Sequence, residues 1–154
     1  MKKIITLSIL LTVLYSCQSK KVVFEENQQL SPGLEWLTKD IKTFKFDLKD
    51  TKATYKSTLL FRFTEGFQYK SFKVKVIEIS PSNEEKSTIV NLKIINDNGE
   101  YIGEPALEIW DSKHVINDNL MYKEDGLYTY RIESLFPSKS LASAMEIGLR
   151  IEKK

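Results

Sequence analysis

The amino-acid sequence predicts an all-β domain, an antiparallel β-sandwich of jelly-roll or immunoglobulin-like type. Apolar side chains alternate with charged ones over many short segments, which is the period of a strand with one buried face. Turn signals rich in Asn, Asp, Gly and Pro recur about every 8 to 12 residues. No long segment has the period of a helix. Both sandwich types remain open, because alternation does not determine strand order.

The first predicted strands share one alternating pattern. Residues 42–48 carry aromatic and aliphatic side chains on one parity and charged ones on the other, and residues 57–63 and 72–76 repeat this arrangement. The apolar parity reverses after Val76, so we expect a bulge or a bend there.

The second half of the chain contains the strongest turn signal. Asn98-Gly99 predicts a tight reversal, because both residue types tolerate a positive φ. Residues 89–95 are apolar on both parities, which predicts a central strand covered on both faces. Residues 139–145, with two alanines, favour a short helical turn. Further strands are predicted at 107–110, 114–116, 128–132 and 145–151.

The start of the chain has the pattern of a bacterial lipoprotein signal. Two lysines precede an apolar run from Ile4 to Leu14, and Leu14-Tyr15-Ser16-Cys17 follows. The run is shorter than the roughly 20 residues that span a bilayer. We therefore predict a cleaved signal peptide at 1–16, a lipidated N-terminus and tether at 17–31, and a β-sandwich domain at 32–154. The alternative is an ordinary secretory signal followed by a buried structural Cys17.

A lipid on Cys17 would determine where the protein resides. The thiol of such a cysteine receives a diacylglycerol, and the new amino group is usually acylated, for example with palmitate. Each buried methylene contributes about 0.8 kcal/mol, so two or three chains make release negligible. Gln18 follows the cysteine and no acidic cluster comes after it. We expect an anchor in the outer membrane, with the domain facing the periplasm.

The charge balance argues against a nucleic-acid partner. Removing residues 1–16 takes away two lysines and no acid, which leaves 21 basic and 21 acidic residues. The net charge of +2 of the full sequence therefore comes from the two lysines of the signal peptide. Cys17 is the only cysteine, so the exported domain must fold without a disulfide.

The sequence offers no catalytic constellation, and we predict no enzyme, no cofactor and no metal. His114 is the only histidine, with Asp111 and Asp118 nearby. On a strand, Asp111 would lie on the opposite face from His114, while Asp118 would share its face. A catalytic dyad or a zinc site would still need further groups placed by the fold, so a structural histidine is favoured. The oxygen-rich turn at 97–100 lacks the ligand spacing of a calcium hand.

Aromatic side chains are the better candidates for binding. Most of the rings have inward parity and belong to the core. Five cannot be assigned inward, and they would form a partner or ligand site if two or three of them lined one exposed surface. These speculative binding residues are Trp36, Tyr69, Tyr101, Trp110 and Tyr122.

Nearly the whole mature chain resembles the gliding-motility lipoproteins of the GldH family of Bacteroidetes. The residues that carry the resemblance are Gly126-Leu-Tyr-Thr-Tyr-Arg-Ile-Glu and Ile147-Gly-Leu-Arg-Ile-Glu-Lys near the end. Upstream it continues in Asp97-Asn-Gly-Glu-Tyr-Ile-Gly103, in the 62–69 stretch and in Trp36. The chain departs from the family at Tyr101, where the family usually has tryptophan.

The resemblance implies a scaffold or protein-interaction role in the cell envelope, near motility or secretion machinery. The family has no recognised catalytic residues, so none is transferred to this chain. The expected partners are the membrane, through the lipid on Cys17, and other envelope proteins. A glycan-binding lipoprotein is the alternative, because sandwiches can bind sugars through exposed rings. An enzyme built around His114 is the third hypothesis.

Overall fold

The computed structural model describes residues 21–154, and these residues form strands and loops without a helix. The predicted signal peptide at 1–16 and the predicted lipidation site Cys17 lie outside the described residues. The strands are β1 Lys21–Gln29, β2 Glu35–Leu37, β3 Lys42–Leu48, β4 Tyr55–Thr64, β5 Ser71–Ile79, β6 Glu85–Lys93, β7 Glu104–Ala106, β8 Ile109–Leu120, β9 Gly126–Ser134, β10 Ser140–Ala142 and β11 Ala144–Lys153.

The strands form two main antiparallel sheets and one small one. The five-stranded sheet has the order β1-β11-β4-β8-β7, the four-stranded sheet has the order β3-β9-β5-β6, and β10 pairs with β2. The eight long strands pair as nested hairpins, with β1 on β11, β3 on β9, β4 on β8 and β5 on β6. This nesting is the jelly-roll topology. The predicted antiparallel sandwich is confirmed, and strand order selects the jelly roll.

The two ends of the sandwich differ in the loops that they carry. We define the proximal end by the start of β1, the end of β11 and the connections at 49–54, 80–84 and 121–125. The distal end consists of four segments, three of them longer than any proximal connection, and these include β2, β7 and β10. These distal segments are residues 30–41, 65–70, 94–108 and 135–143.

The core lies between the two main sheets and is rich in aromatic rings. The alternation that predicted β3, β9 and β11 is seen directly, because each strand buries one parity of apolar side chains. Phe46 at the proximal end contacts the rings of Tyr122, Tyr128 and Tyr130, with centroids 5.9–6.1 Å apart. Rings pack at the distal end in the same way, so the two ends close the sandwich without a disulfide among the described residues.

Residues 21–29 form an edge strand instead of the tether that the sequence predicts there. β1 pairs with β11 along its whole length, apart from a register shift between Val22 and Phe24. Gly148 of β11 lies beneath β1, where an added Cβ would come within 1.9 Å of the Asn27 Oδ1 and 2.8 Å of the Glu26 carbonyl oxygen. An edge strand buries few side chains, so β1 lacks the alternation that revealed the others.

Two sequence-based expectations about the four-stranded sheet are wrong. β6 is an edge strand instead of a central one, and Ile89 is 63% exposed, because only the parity of Val90 and Leu92 faces the core. β5 pairs with both neighbours without a register shift, so there is no bulge near Val76. Ile77 lies on the outer face beside its cross-strand partner Arg131 and is buried there.

In the second half of the chain, the structure agrees with the predicted turn, merges two predicted strands and replaces a predicted helical turn by strands. The Asn98-Gly99 turn is confirmed: the Asn96 side-chain oxygen accepts hydrogen bonds from two backbone N–H groups of the turn, and Gly99 has a φ of +85°. The predicted strands at 107–110 and 114–116 belong to the single strand β8, apart from the two hairpin residues at 107–108. The predicted helical turn at 139–145 is instead β10 followed by the start of β11.

Candidate functional site

Three of the five predicted ring residues lie together at the distal end. The rings of Tyr101 and Trp110 are 5.2 Å apart, and Tyr101 contacts Phe63 at 5.3 Å. Phe63 contacts Phe67, which in turn packs against Tyr69 at 5.8 Å. Tyr101 and Trp110 are half-buried, whereas Tyr69 is 39% exposed. The distal end therefore has a continuous layer of rings that reaches the surface.

Hydrogen bonds hold the distal segments to one another. The Tyr101 hydroxyl accepts from the Gly66 N–H at 2.9 Å and donates to the Phe67 carbonyl at 3.1 Å. The Glu65 N–H donates to the Glu108 carbonyl at 2.7 Å. These bonds connect segment 65–70 with segment 94–108, so the distal surface has a fixed shape.

Trp36 and Tyr122 are buried, and the expectation that they could lie on an exposed surface is wrong. Trp36 is fully enclosed, packs edge-on against Phe72 at 6.3 Å, and donates its Nε1–H to the Asp40 carbonyl at 2.9 Å. Tyr122 lies in the proximal core, where its hydroxyl is 3.0 Å from that of Tyr130. β2 is only three residues long, which is too short for alternation to reveal the inward direction of Trp36.

Six exposed aliphatic side chains lie at the same distal end, and four others, Val22, Val23, Met121 and Leu127, are exposed at the proximal end. No periodic pattern predicts the distal ones, because a single apolar residue in a loop carries no periodic signal. Leu107 is the extreme case and is 99% exposed at the tip of the β7–β8 hairpin. The large apolar residues that the distal segments expose are Leu34, Leu37, Ile41, Tyr69, Ile102, Leu107 and Leu135.

His114 has no catalytic partner among the described residues. It lies on the inward parity of β8, with its Nε2 2.9 Å from the Ser112 hydroxyl. Asp111 is paired with Arg62, and Asp118 is paired with Lys154. Burial lowers the pKa of His114 from 6.5 to about 4. A neutral histidine without a carboxylate partner has a packing role.

The pKa of His114 leads to a pH-dependent stability. Above pH 6.5 the histidine is neutral in both states, and between pH 6.5 and about 4 only the unfolded chain takes up the proton. Stability should therefore fall by about 1 to 3 kcal/mol as the pH drops through this window. Urea unfolding of the wild type and of His114→Gln at pH 7.5 and pH 4 measures the difference. Parallel losses in both proteins would contradict the assignment.

The outer face of the five-stranded sheet carries a network of ion pairs. The Arg62 guanidinium binds both oxygens of Asp111 at 2.8 and 3.0 Å and reaches Glu146 at 3.2 Å, and Asp111 raises its pKa. Arg150 joins Glu25 of β1 at 3.0 Å. A depression of about 180 Å³ lies among these groups. The carboxylates of Asp111, Glu146 and Glu25 are each paired with an arginine. These ion pairs connect β1, β4, β8 and β11.

A narrow crevice between β6 and β8 is a second concavity. It has a volume of about 170 Å³ and contains the Glu78 carboxylate, which accepts a hydrogen bond from the Tyr130 hydroxyl. Burial holds the pKa of Tyr130 well above its usual value. Within residues 21–154, no group of three or more His, Cys, Asp or Glu side chains could hold a metal ion. The part of the chain that the structure describes has no helix long and apolar enough to cross a membrane.

Comparison with known proteins gives a consistent result. A model of the GldH lipoprotein family matches residues 22–151. The chain is 24% identical over 149 residues to a protein of Christiangramia forsetii (strain DSM 17595 / CGMCC 1.15422 / KT0803) named gliding motility lipoprotein GldH homolog, covering 92% of this chain and 90% of that protein. No solved structure matches.

The family match extends over both main sheets and the distal segments. The motifs that suggested it are placed in the structure mainly on β9 and β11 and at the Asn98-Gly99 turn. Tyr128 and Tyr130 of β9 fill the proximal core, and Gly148 of β11 makes room for β1. The chain belongs to the GldH lipoprotein family, whose members are lipid-anchored proteins of the cell envelope associated with gliding motility.

Proposed function

We propose that this protein is a non-enzymatic envelope lipoprotein, anchored through Cys17, that binds another protein with its distal end. The observation that carries the proposal is the division of the molecule into two ends. β1 begins at the proximal end, and the ring layer and the largest group of exposed aliphatic side chains are at the opposite end. Exposed apolar side chains on a rigid surface are typical of protein-binding sites.

The position of β1 supports a definite orientation. Cys17 precedes Lys21 by four residues, which can span no more than about 14 Å. A lipid on Cys17 would therefore keep the proximal end close to the membrane. β11 has ten residues, so the distal end would stand about 30 Å further out. We propose that this surface projects into the periplasm from the outer membrane, towards motility or secretion machinery.

Photo-crosslinking in intact cells tests the proposal. A photoreactive amino acid replaces Tyr69 at the distal end, and in a matched variant it replaces Lys45, which is exposed on β3 of the four-stranded sheet. We expect Tyr69 to capture one defined envelope protein, identified by mass spectrometry, and Lys45 to capture it much less. Equal capture from both positions, or no capture from the distal end, would contradict the proposal.

Glycan binding is the second candidate, and the exposed ring of Tyr69 favours it. Tyr69 packs edge-on against Phe136 at 4.7 Å, which fixes its orientation. A fixed, exposed ring can stack on a sugar. Binding to a glycan array that Tyr69→Ala abolishes, together with no protein crosslink from the distal end, would favour this function.

A further inference from the structure

The tip of the β7–β8 hairpin has an unusual residue. Ala106 pairs with Ile109, so Leu107 and Glu108 form the two-residue tip. Leu107 has a φ of +59° and is 99% exposed. Positive φ in such a tip is normally taken by Gly, Asn or Asp, because a branched side chain clashes with the backbone there. The tip therefore combines an unfavourable backbone with a fully solvated apolar side chain, and neither stabilises the fold.

Contacts hold this hairpin at both its tip and its base. The Glu108 carbonyl accepts the bond from Glu65, and Lys113 binds the Glu104 carboxylate at 2.9 Å. Gly103 lies so close to the strand behind it that an added Cβ would come within 2.4 Å of the Asp111 carbonyl oxygen. A rigid base fixes the direction in which Leu107 projects, so little entropy would be lost when the tip is bound.

The surroundings of the tip are acidic. Residues 94–112 contain five acidic residues and no lysine or arginine, and of the five Glu104 is paired with Lys113 and Asp111 with Arg62. Among the described residues, Asp97, Glu100 and Glu108 form no ion pair, and neither does the neighbouring Glu65. These carboxylates would be repelled by an anionic lipid surface and attracted by a basic protein surface.

We infer that Leu107 is the anchor residue of the distal end and inserts into an apolar pocket on a protein whose surrounding surface is basic. The inference rests on the proposed function and specifies the chemistry of the partner. An exposed leucine on a rigid tip supplies the apolar contact, and the carboxylates of Glu108 and the neighbouring Glu65 supply the charge complementarity. An aliphatic or aromatic side chain that fills a partner's pocket can act as the central anchor of an interface.

Leu107→Gly is the informative substitution. Glycine removes the apolar side chain and also relieves the positive φ, so the fold should be as stable as the wild type or more stable. The variant is made in the full-length lipoprotein that carries the photoreactive residue at position 69. We expect at least a tenfold loss of the crosslink to the partner. Leu127→Ser, which alters an exposed leucine at the proximal end, should leave the crosslink unchanged.

A charge substitution tests the second part of the inference. Glu108→Lys should weaken the same crosslink, because it places a positive charge against the basic surface. A partner crosslink that survives both Leu107→Gly and Glu108→Lys would overturn the inference and leave the proposed function standing. Absence of any distal crosslink in the parent protein would overturn both. Labelling of position 69 by a photoactivatable phospholipid, or capture of a second copy of this chain, would also overturn the inference.

Discussion

Trp36→Ala should lower the free energy of unfolding by about 3 to 5 kcal/mol, the usual cost of removing a buried indole. Trp36 has no exposed surface and connects the small β2–β10 sheet to the core. Removing the ring leaves a cavity against Phe72 and frees the Asp40 carbonyl that accepts the indole N–H. Both losses act at the point where segments 30–41 and 135–143 join the sandwich.

The chain offers a matched control for this substitution. Trp110 is the second of its two tryptophans and is only half-buried, beside Tyr101 at the edge of the distal end. Trp110→Ala should cost clearly less than Trp36→Ala. Urea unfolding followed by far-ultraviolet circular dichroism measures both without depending on tryptophan fluorescence. Equal destabilisation by the two substitutions would contradict a purely core role for Trp36.

Cys17→Ser should abolish attachment to the membrane through lipid. Serine cannot form the thioether to diacylglycerol, and a single remaining chain or none binds a bilayer only weakly and reversibly. We expect labelled palmitate to be incorporated into the wild-type protein and not into Cys17→Ser. To separate loss of the lipid from loss of signal cleavage, a second variant replaces residues 1–17 with a cleavable secretory signal.

The second variant separates anchoring from export. Its folded domain should move from the membrane pellet to the soluble periplasmic fraction, while the wild type remains in the pellet. Palmitate labelling of Cys17→Ser, or a pelleted domain without Cys17, would show that another feature holds the protein on the membrane. The distal crosslink from position 69 should also weaken in the released domain, because the anchor no longer holds it near its partner.

Alternation predicted the strands that have one buried and one solvated face. In β3, β9 and β11, the order of apolar and charged residues states which side chains face the core. The Asn98-Gly99 turn was also predictable from the sequence, because its geometry depends only on these two residues and on the carboxamide of the nearby Asn96. Family motifs on β9 and β11 added the lipoprotein class, which periodicity alone does not contain.

Alternation of apolar and charged residues did not predict the edge strands and loops. The sequence predicts a tether at the position of β1, because an edge strand tolerates polar residues on both faces. It predicts a central strand at the position of β6, because Ile89 is apolar although it is exposed. The burial of the candidate rings could not be predicted locally either. Trp36 and Tyr122 are covered by segments distant in the chain, whereas Tyr69 stays at the surface.

The order of residues predicted an exported all-β lipoprotein without a disulfide, because composition, signal pattern and strand period are properties of neighbouring residues. Tertiary structure decided the jelly-roll strand order, the separation of the β1 start from the distal loops, and the exposure of Leu107. These features depend on which distant segments cover one another. Burial is a relation between parts of the chain far apart in sequence, and no local pattern records it.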